Sequence, residues 1–150
     1  MIEYEEIVNF IQKSCLLLDE ENFEGFLNIC NENFEYKITA FSPEINKEMI
    51  WMDEDYAGFK NLLMMVSSHL RRLGKLTRNV SVGQIQRESE KIFINSSFIV
   101  IHTDLEGKSN IFCVGRYKDV IISHKGSIQF ESRHVHLETR DLGIGSHVPI

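Results

Sequence analysis

The run from Ile111 to Leu137 constrains the fold of this chain more than any other stretch. It reads Ile111-Phe-Cys-Val-Gly-Arg-Tyr-Lys-Asp-Val-Ile-Ile-Ser-His124, then Lys125-Gly126, then Ser127-Ile-Gln-Phe-Glu-Ser-Arg-His-Val-His-Leu137. Two runs rich in β-branched and aromatic residues flank a Lys-Gly turn, which predicts a long antiparallel hairpin. Strand patterning extends upstream of it. Leu76–Ile85 sets Val80 and Val82 against polar neighbours, and Glu88-Ser-Glu90 marks a turn. Lys91–Thr103 is the most β-branched run of the chain, and Asp104-Leu-Glu-Gly107 is a hairpin loop. Residues 110–123 and 127–139 complete a four-stranded meander.

Ahead of the meander the period changes. Residues 2–18 carry Ile7, Phe10, Ile11, Ser14/Cys15 and Leu18 at the spacing of an amphipathic helix, and residues 21–30 resume it with Phe23, Phe26, Leu27 and Cys30. Residues 33–41 alternate Phe34, Tyr36 and Ile38 with polar side chains, as a half-buried strand does. Ser42-Pro43 breaks that run, and 47–52 read as a second short strand. Asp53 is the expected cap of a helix over 54–66, with Phe59, Leu62, Leu63 and Val66 on one side. Helices gathered at one end and strands at the other predict an α+β domain: a curved antiparallel sheet wrapped around helices, with a cavity inside the cone.

Size and charge narrow the function. A chain of 150 residues is expected to be one domain, 1–150, and buries roughly 68–70% of its unfolded surface without staples. The net charge of −6 argues against nucleic acid or an anionic membrane as the main partner. The basic cluster His69-Leu-Arg-Arg-Leu-Gly-Lys75 reads as a solvated helix end. Cys15, Cys30 and Cys113 are widely spaced within apolar runs, so reduced core residues and a cytoplasmic location are expected. The acidic N-terminus is unlike a signal peptide, and no apolar run approaches the ~20 residues of a membrane span.

Four segments carry a family resemblance. They are Leu17-Leu-Asp19 with Phe23, Phe26, Leu27 and Phe34-Glu-Tyr36; Met52-Asp-Glu-Asp55 before an apolar helix; Thr77-Arg-Asn-Val-Ser-Val82; and Phe112-Cys-Val-Gly-Arg-Tyr-Lys-Asp119 with Ser132-Arg-His-Val-His-Leu137. In this order they resemble the small (β) subunit of Rieske-type aromatic-ring-hydroxylating dioxygenases. The resemblance implies the cystatin-like cone of nuclear transport factor 2 and ketosteroid isomerase. It further implies a non-catalytic subunit, a homotrimer bound to a large α subunit. That α subunit holds the [2Fe–2S] cluster and iron and oxidises an aromatic or sulfonate substrate.

The residues themselves speak to a metal centre in this chain. A Rieske cluster needs two Cys and two His in short-spaced pairs, and no Cys here has a His within three residues. No cofactor of its own is therefore expected. His134 and His136 share one strand face with Glu138 and are the candidate metal ligands. Same-face neighbours on a strand lie roughly 7 Å apart, so three in a line do not all reach one ion. A polar stripe facing solvent or a partner is the simpler reading. On the opposite parity Arg133 needs Asp119 or Glu131 as its partner if that face is interior.

Two further expectations concern other side chains. The same fold hosts cofactor-free isomerases and dehydratases, and binding proteins with an internal cavity. For that alternative Tyr36, Asp53, Asp55 and His102 are the candidate acid–base residues. Each also has a plain reading: core aromatic, helix cap or satisfied strand histidine. Arg78, Arg116 and Trp51 are the expected subunit contacts, since Arg and Trp suit interface cores.

Overall fold

The computed structural model describes residues 1–66, 73–143 and 149–150. The elements run α1 (Tyr4–Asp19), α2 (Phe23–Asn28), β1 (Cys30–Ser42), β2 (Lys47–Asp55), α3 (Tyr56–Met64), β3 (Lys75–Glu88), β4 (Lys91–Thr103), β5 (Ser109–His124) and β6 (Ser127–Leu137). Most of the basic cluster, His69–Arg72, lies outside the described residues. Among those described, no helix is long and apolar enough to cross a membrane.

Local chemistry explains the boundaries. The Glu6 carboxylate accepts the Glu3 backbone N–H at 2.9 Å, and acids at 5 and 6 suit the positive helix end. The stripe Ile7, Phe10, Ile11, Cys15 and Leu18 is buried, as the period predicts. Glu21 takes a left-handed φ of 53°, which ends α1, and the Asn22 side chain accepts the Gly25 N–H to open α2. One cap differs from expectation. β2 runs through Asp55, three residues past the predicted end at 52. Asp55, not Asp53, therefore caps α3, accepting the Gly58 N–H at 2.9 Å.

The strands form one open sheet in the order β2-β1-β6-β5-β4-β3. The expected meander β3–β6 is antiparallel throughout. β1, however, joins β6 in parallel, so the sheet is mixed at that seam. The Lys125-Gly126 turn has φ of 51° and 80°, the two positive values that a two-residue hairpin turn of type I′ needs. Bulges at Ile38/Thr39, Val82/Gln84, Val100/Ile101 and Val120/Ile121 bend the strands into a cone. Gly115 of β5 lies opposite Leu137 of β6. A Cβ there would collide with the His136 carbonyl oxygen, which accounts for a glycine in the middle of a strand.

The helices pack on the concave face around a core of rings. Phe10, Phe26, Phe34, Tyr36, Phe59 and Phe130 contact one another with centroids 4.6–6.4 Å apart. Such tilted and edge contacts add roughly 0.5–1.5 kcal/mol per pair beyond area burial. The three cysteines are free and buried. Burial pushes the Cys113 thiol up to about 12 and raises Cys15 and Cys30 as well. A thiol-specific reagent in mildly alkaline buffer is therefore expected to label none of them in the native protein and all three after denaturation. Rapid labelling of the native protein would contradict this arrangement.

Candidate functional site

The structure settles which parity of β6 faces inward. Phe130, Arg133, Val135 and Leu137 point into the cone, while Ser132, His134 and His136 point out. Arg133 is 1% exposed and Asp119 likewise. They face each other across the β5–β6 pair, and two hydrogen bonds join them: Nε to Oδ1 at 2.8 Å and Nη2 to Oδ2 at 3.0 Å. Nη2 also donates to the Ser14 hydroxyl of α1 at 3.1 Å. The guanidinium lies 4.0 Å from the centre of the Tyr117 ring and 4.7 Å from that of Phe130. Burial pushes the Asp119 carboxyl up and the guanidinium pulls it back. Arg133 keeps its proton throughout, since guanidinium does not give it up in proteins. Asp119 is thus the partner; Glu131 instead reaches Lys91 at 2.8 Å.

The candidate acid–base residues are not brought together. Tyr36 is fully buried beside Phe34 and Phe59, but its hydroxyl donates to the Ile150 carbonyl at 3.0 Å and accepts the Ile150 N–H at 2.9 Å. Burial raises its phenol far above the ordinary value, so it does not ionise near neutrality. Asp53 and Asp55 are exposed on the outer side of the sheet, where with Glu35, Lys37 and His134 they line a hollow of about 420 Å³. His102 sits inward on β4, 8% exposed, its Nε2 2.6 Å from the Leu73 carbonyl oxygen. A carbonyl only accepts, so Nε2 carries the proton and the ring is held as a structural donor.

The expected contact residues divide in the same way. Arg78 is 7% exposed and serves the chain's own packing. Its Nη1 donates to Asp19 at 2.8 Å, at the end of α1, and its Nη2 to the Pro149 carbonyl at 2.6 Å. It clamps a helix end and residues 149–150, which leaves its fork unavailable to another subunit. Arg116 is exposed and lines a hollow of about 560 Å³ with Ile99, Val114 and Glu138. Trp51 is 39% exposed on the edge strand β2, at the bulge opposite Ile38 and Thr39.

Outside the cone the histidine pair acquires partners that the sequence did not reveal. His134 and His136 are half-buried, with ring centroids 6.1 Å apart and planes at 85°. Between them stands Thr39 of β1, its hydroxyl 2.6 Å from His134 Nε2 and 3.3 Å from His136 Nδ1. Glu48 of β2 reaches over from the other side to 3.2 Å from His136 Nδ1. Thr39 holds the Glu48 carboxyl below its ordinary value, with the two imidazoles assisting. Burial lowers His134, and His136, Lys118 and Lys37 push the same way, so this ring is neutral at pH 7. Glu138 belongs to the Arg116 hollow instead. Only the parallel β1–β6 register places Thr39 beside His136, and no local pattern encodes that long-range pairing.

With this geometry in hand, the chain's relatives are informative. No protein-family model matches it. It is 32% identical over 145 residues to the 2-aminobenzenesulfonate 2,3-dioxygenase subunit beta of an Alcaligenes species, covering 96% of this chain and 97% of that one. It is also 32% identical over 152 residues to the methanesulfonate monooxygenase hydroxylase subunit beta of Methylosulfonomonas methylovora, covering 95% and 84%. Among solved structures, the beta subunit of the benzoate 1,2-dioxygenase of Burkholderia mallei superposes with a TM-score of 0.72 at 11% identity, over 92% of each chain. That last likeness speaks for the fold, the cystatin-like cone. The near-complete coverage at 32% identity speaks for descent. The chain belongs to the family of the small (β) subunits of Rieske-type ring-hydroxylating oxygenases.

Proposed function

We propose that this chain is a non-catalytic β subunit that forms a homotrimer and binds a large α subunit in an α3β3 assembly. The α subunit would hold the [2Fe–2S] cluster and the mononuclear iron, and would oxidise an aromatic or sulfonate substrate. A cytoplasmic location goes with three reduced, buried thiols.

One observation supports the non-catalytic reading: among the described residues, the acid–base candidates inside the cone are tied to groups of the chain itself. In a cofactor-free enzyme of this shape, that space would hold the substrate beside a free carboxylate, imidazole or phenol. Here the phenol of Tyr36 is closed off by Ile150, the carboxylate of Asp119 by Arg133, and the imidazole of His102 by Leu73, while Tyr117, whose buried hydroxyl has no hydrogen-bond partner, is packed between the Arg133 guanidinium and the Phe98 ring. The relatives' names, both sulfonate oxygenase subunits, support the substrate class. On the outer face Arg116, Ile99 (41% exposed) and Trp51 remain available for subunit contacts.

The test is to express the chain alone and together with a large oxygenase α subunit from the same organism, and to measure mass by light scattering. The expected result is a trimer alone and a hexamer that carries the iron with the α subunit. A monomer or dimer that retains no iron protein would overturn the proposal.

A further inference from the structure

We propose that Glu48, His134 and His136 form a binding site for one divalent cation of the zinc class on the outer face of the sheet. One carboxylate oxygen and one nitrogen from each ring lie within 4.8 Å of one another. Zinc bound by two His and one carboxylate sits about 2.0–2.2 Å from each donor, which requires donors no more than about 4.2 Å apart. The Glu48–His136 pair already meets this at 3.2 Å, and a small rotation of the His134 ring closes the rest. The donor types suit zinc, copper(II) or cobalt(II) better than magnesium or calcium, which take oxygen ligands alone.

The architecture makes the site a local device of three strands. β2 and β6 are separated by β1, so their backbones stand roughly 10 Å apart. Their side chains meet only because the residue beneath them is a short threonine. Thr39 is 2% exposed, covered by the two rings, and its hydroxyl orients both imidazoles. It meets the same nitrogens that would take the ion, so it holds the donors in position and gives them up as the ion enters. A straight line of His134, His136 and Glu138 along one strand could not close around an ion; Glu48 from the edge strand replaces Glu138 and turns the line into a triangle. Lys37, Lys118 and Arg116 occupy neighbouring positions on this face and oppose a cation. Glu48 supplies the charge that offsets part of that repulsion. A bound ion would tie the edge strand β2 to β6 across β1.

The experiment uses the full chain stripped with chelator and titrated with zinc chloride, followed by calorimetry and by the melting temperature. One ion per chain and a raised melting temperature are expected. His136→Ala should weaken binding at least ~100-fold and Glu48→Gln ~10–100-fold, whereas His124→Ala at the far end of β5 should change nothing. Cobalt(II) should give a visible spectrum in the parent that is absent from His134→Ala. Circular dichroism of each variant confirms that it is folded. The site is refuted if the parent binds no zinc, if the His134→Ala/His136→Ala double variant binds as tightly as the parent, or if Glu48→Gln is without effect. That last result would leave only a two-histidine chelate.

Discussion

Arg133→Met is expected to lose about 3–5 kcal/mol of stability, a large share of the about 5–15 kcal/mol that holds a domain folded. The cost is not the two hydrogen bonds as such. It is the carboxylate of Asp119, 0% exposed in its side chain and left in the cone with no cation beside it. With the guanidinium gone, burial alone acts on Asp119 and the group takes up a proton or unfolds its surroundings. The double variant Arg133→Met/Asp119→Leu should recover most of the loss, because an apolar pair of similar volume needs no charge compensation. Urea denaturation of the parent, both single variants and the double variant, at one protomer concentration, gives the cycle. A single-variant loss below about 1 kcal/mol, or a double variant as weak as the singles, would show that the pair is not what holds β5 to β6 at this point.

Phe130→Ala should cost a comparable amount, about 3–5 kcal/mol, by a different physical route. Phe130 is fully buried and touches three elements at once: Phe10 of α1 at 4.7 Å between ring centres, Phe26 of α2 at 5.9 Å, and Phe34 of β1 at 6.3 Å. The Arg133 guanidinium lies over its ring, 4.7 Å from the centre. Removing the ring leaves a hole that four anchored neighbours cannot all move to fill, so the cavity cost adds to the lost transfer energy. Phe130→Leu keeps much of the volume and should lose distinctly less. Equal losses for the two would mean that the aromatic contacts, not the volume, dominate. The two variants together separate the ionic from the apolar contribution of adjacent positions on β6.

Much of this was legible in the chain itself, because the signals were local. The β-branched run of β4 and the Lys125-Gly126 turn gave strand ends that the structure reproduces within a residue. The helix stripe of α1 needed only the spacing of Ile7, Phe10, Ile11 and Leu18. Asp53 and Asp55 were harder, since either serves as a cap and only the length of β2, set by pairing with Glu35–Ser42, chooses between them. The parity of β6 was unreadable because Arg133 is polar yet interior and His134 and His136 are polar and exterior. Composition cannot separate a buried ion pair from a wet face. Arg78 misled for a related reason: an Arg among strand residues suits an interface, but here Asp19 and Pro149 hold it within the chain. Glu48 gave no sign at all, since its meeting with His136 depends on a seam between residues nearly a hundred positions apart.

That seam has a consequence for how the protein is made. β1 leaves the ribosome well before β6, with β2, α3 and three strands between them. Until Leu137 has emerged, β1 has β2 on one side and an unsatisfied row of backbone donors and acceptors on the other. An unpaired edge over Glu35–Ala40, the stretch that β6 later covers, is a template for pairing with other chains. Closing a loop of this span is the slow, entropically costly step of assembly. The nascent chain therefore passes through a stage in which its first hairpin is complete but one-sided. An exposed strand edge of this kind is what makes folding intermediates prone to aggregate, and the finished cone covers it with β6.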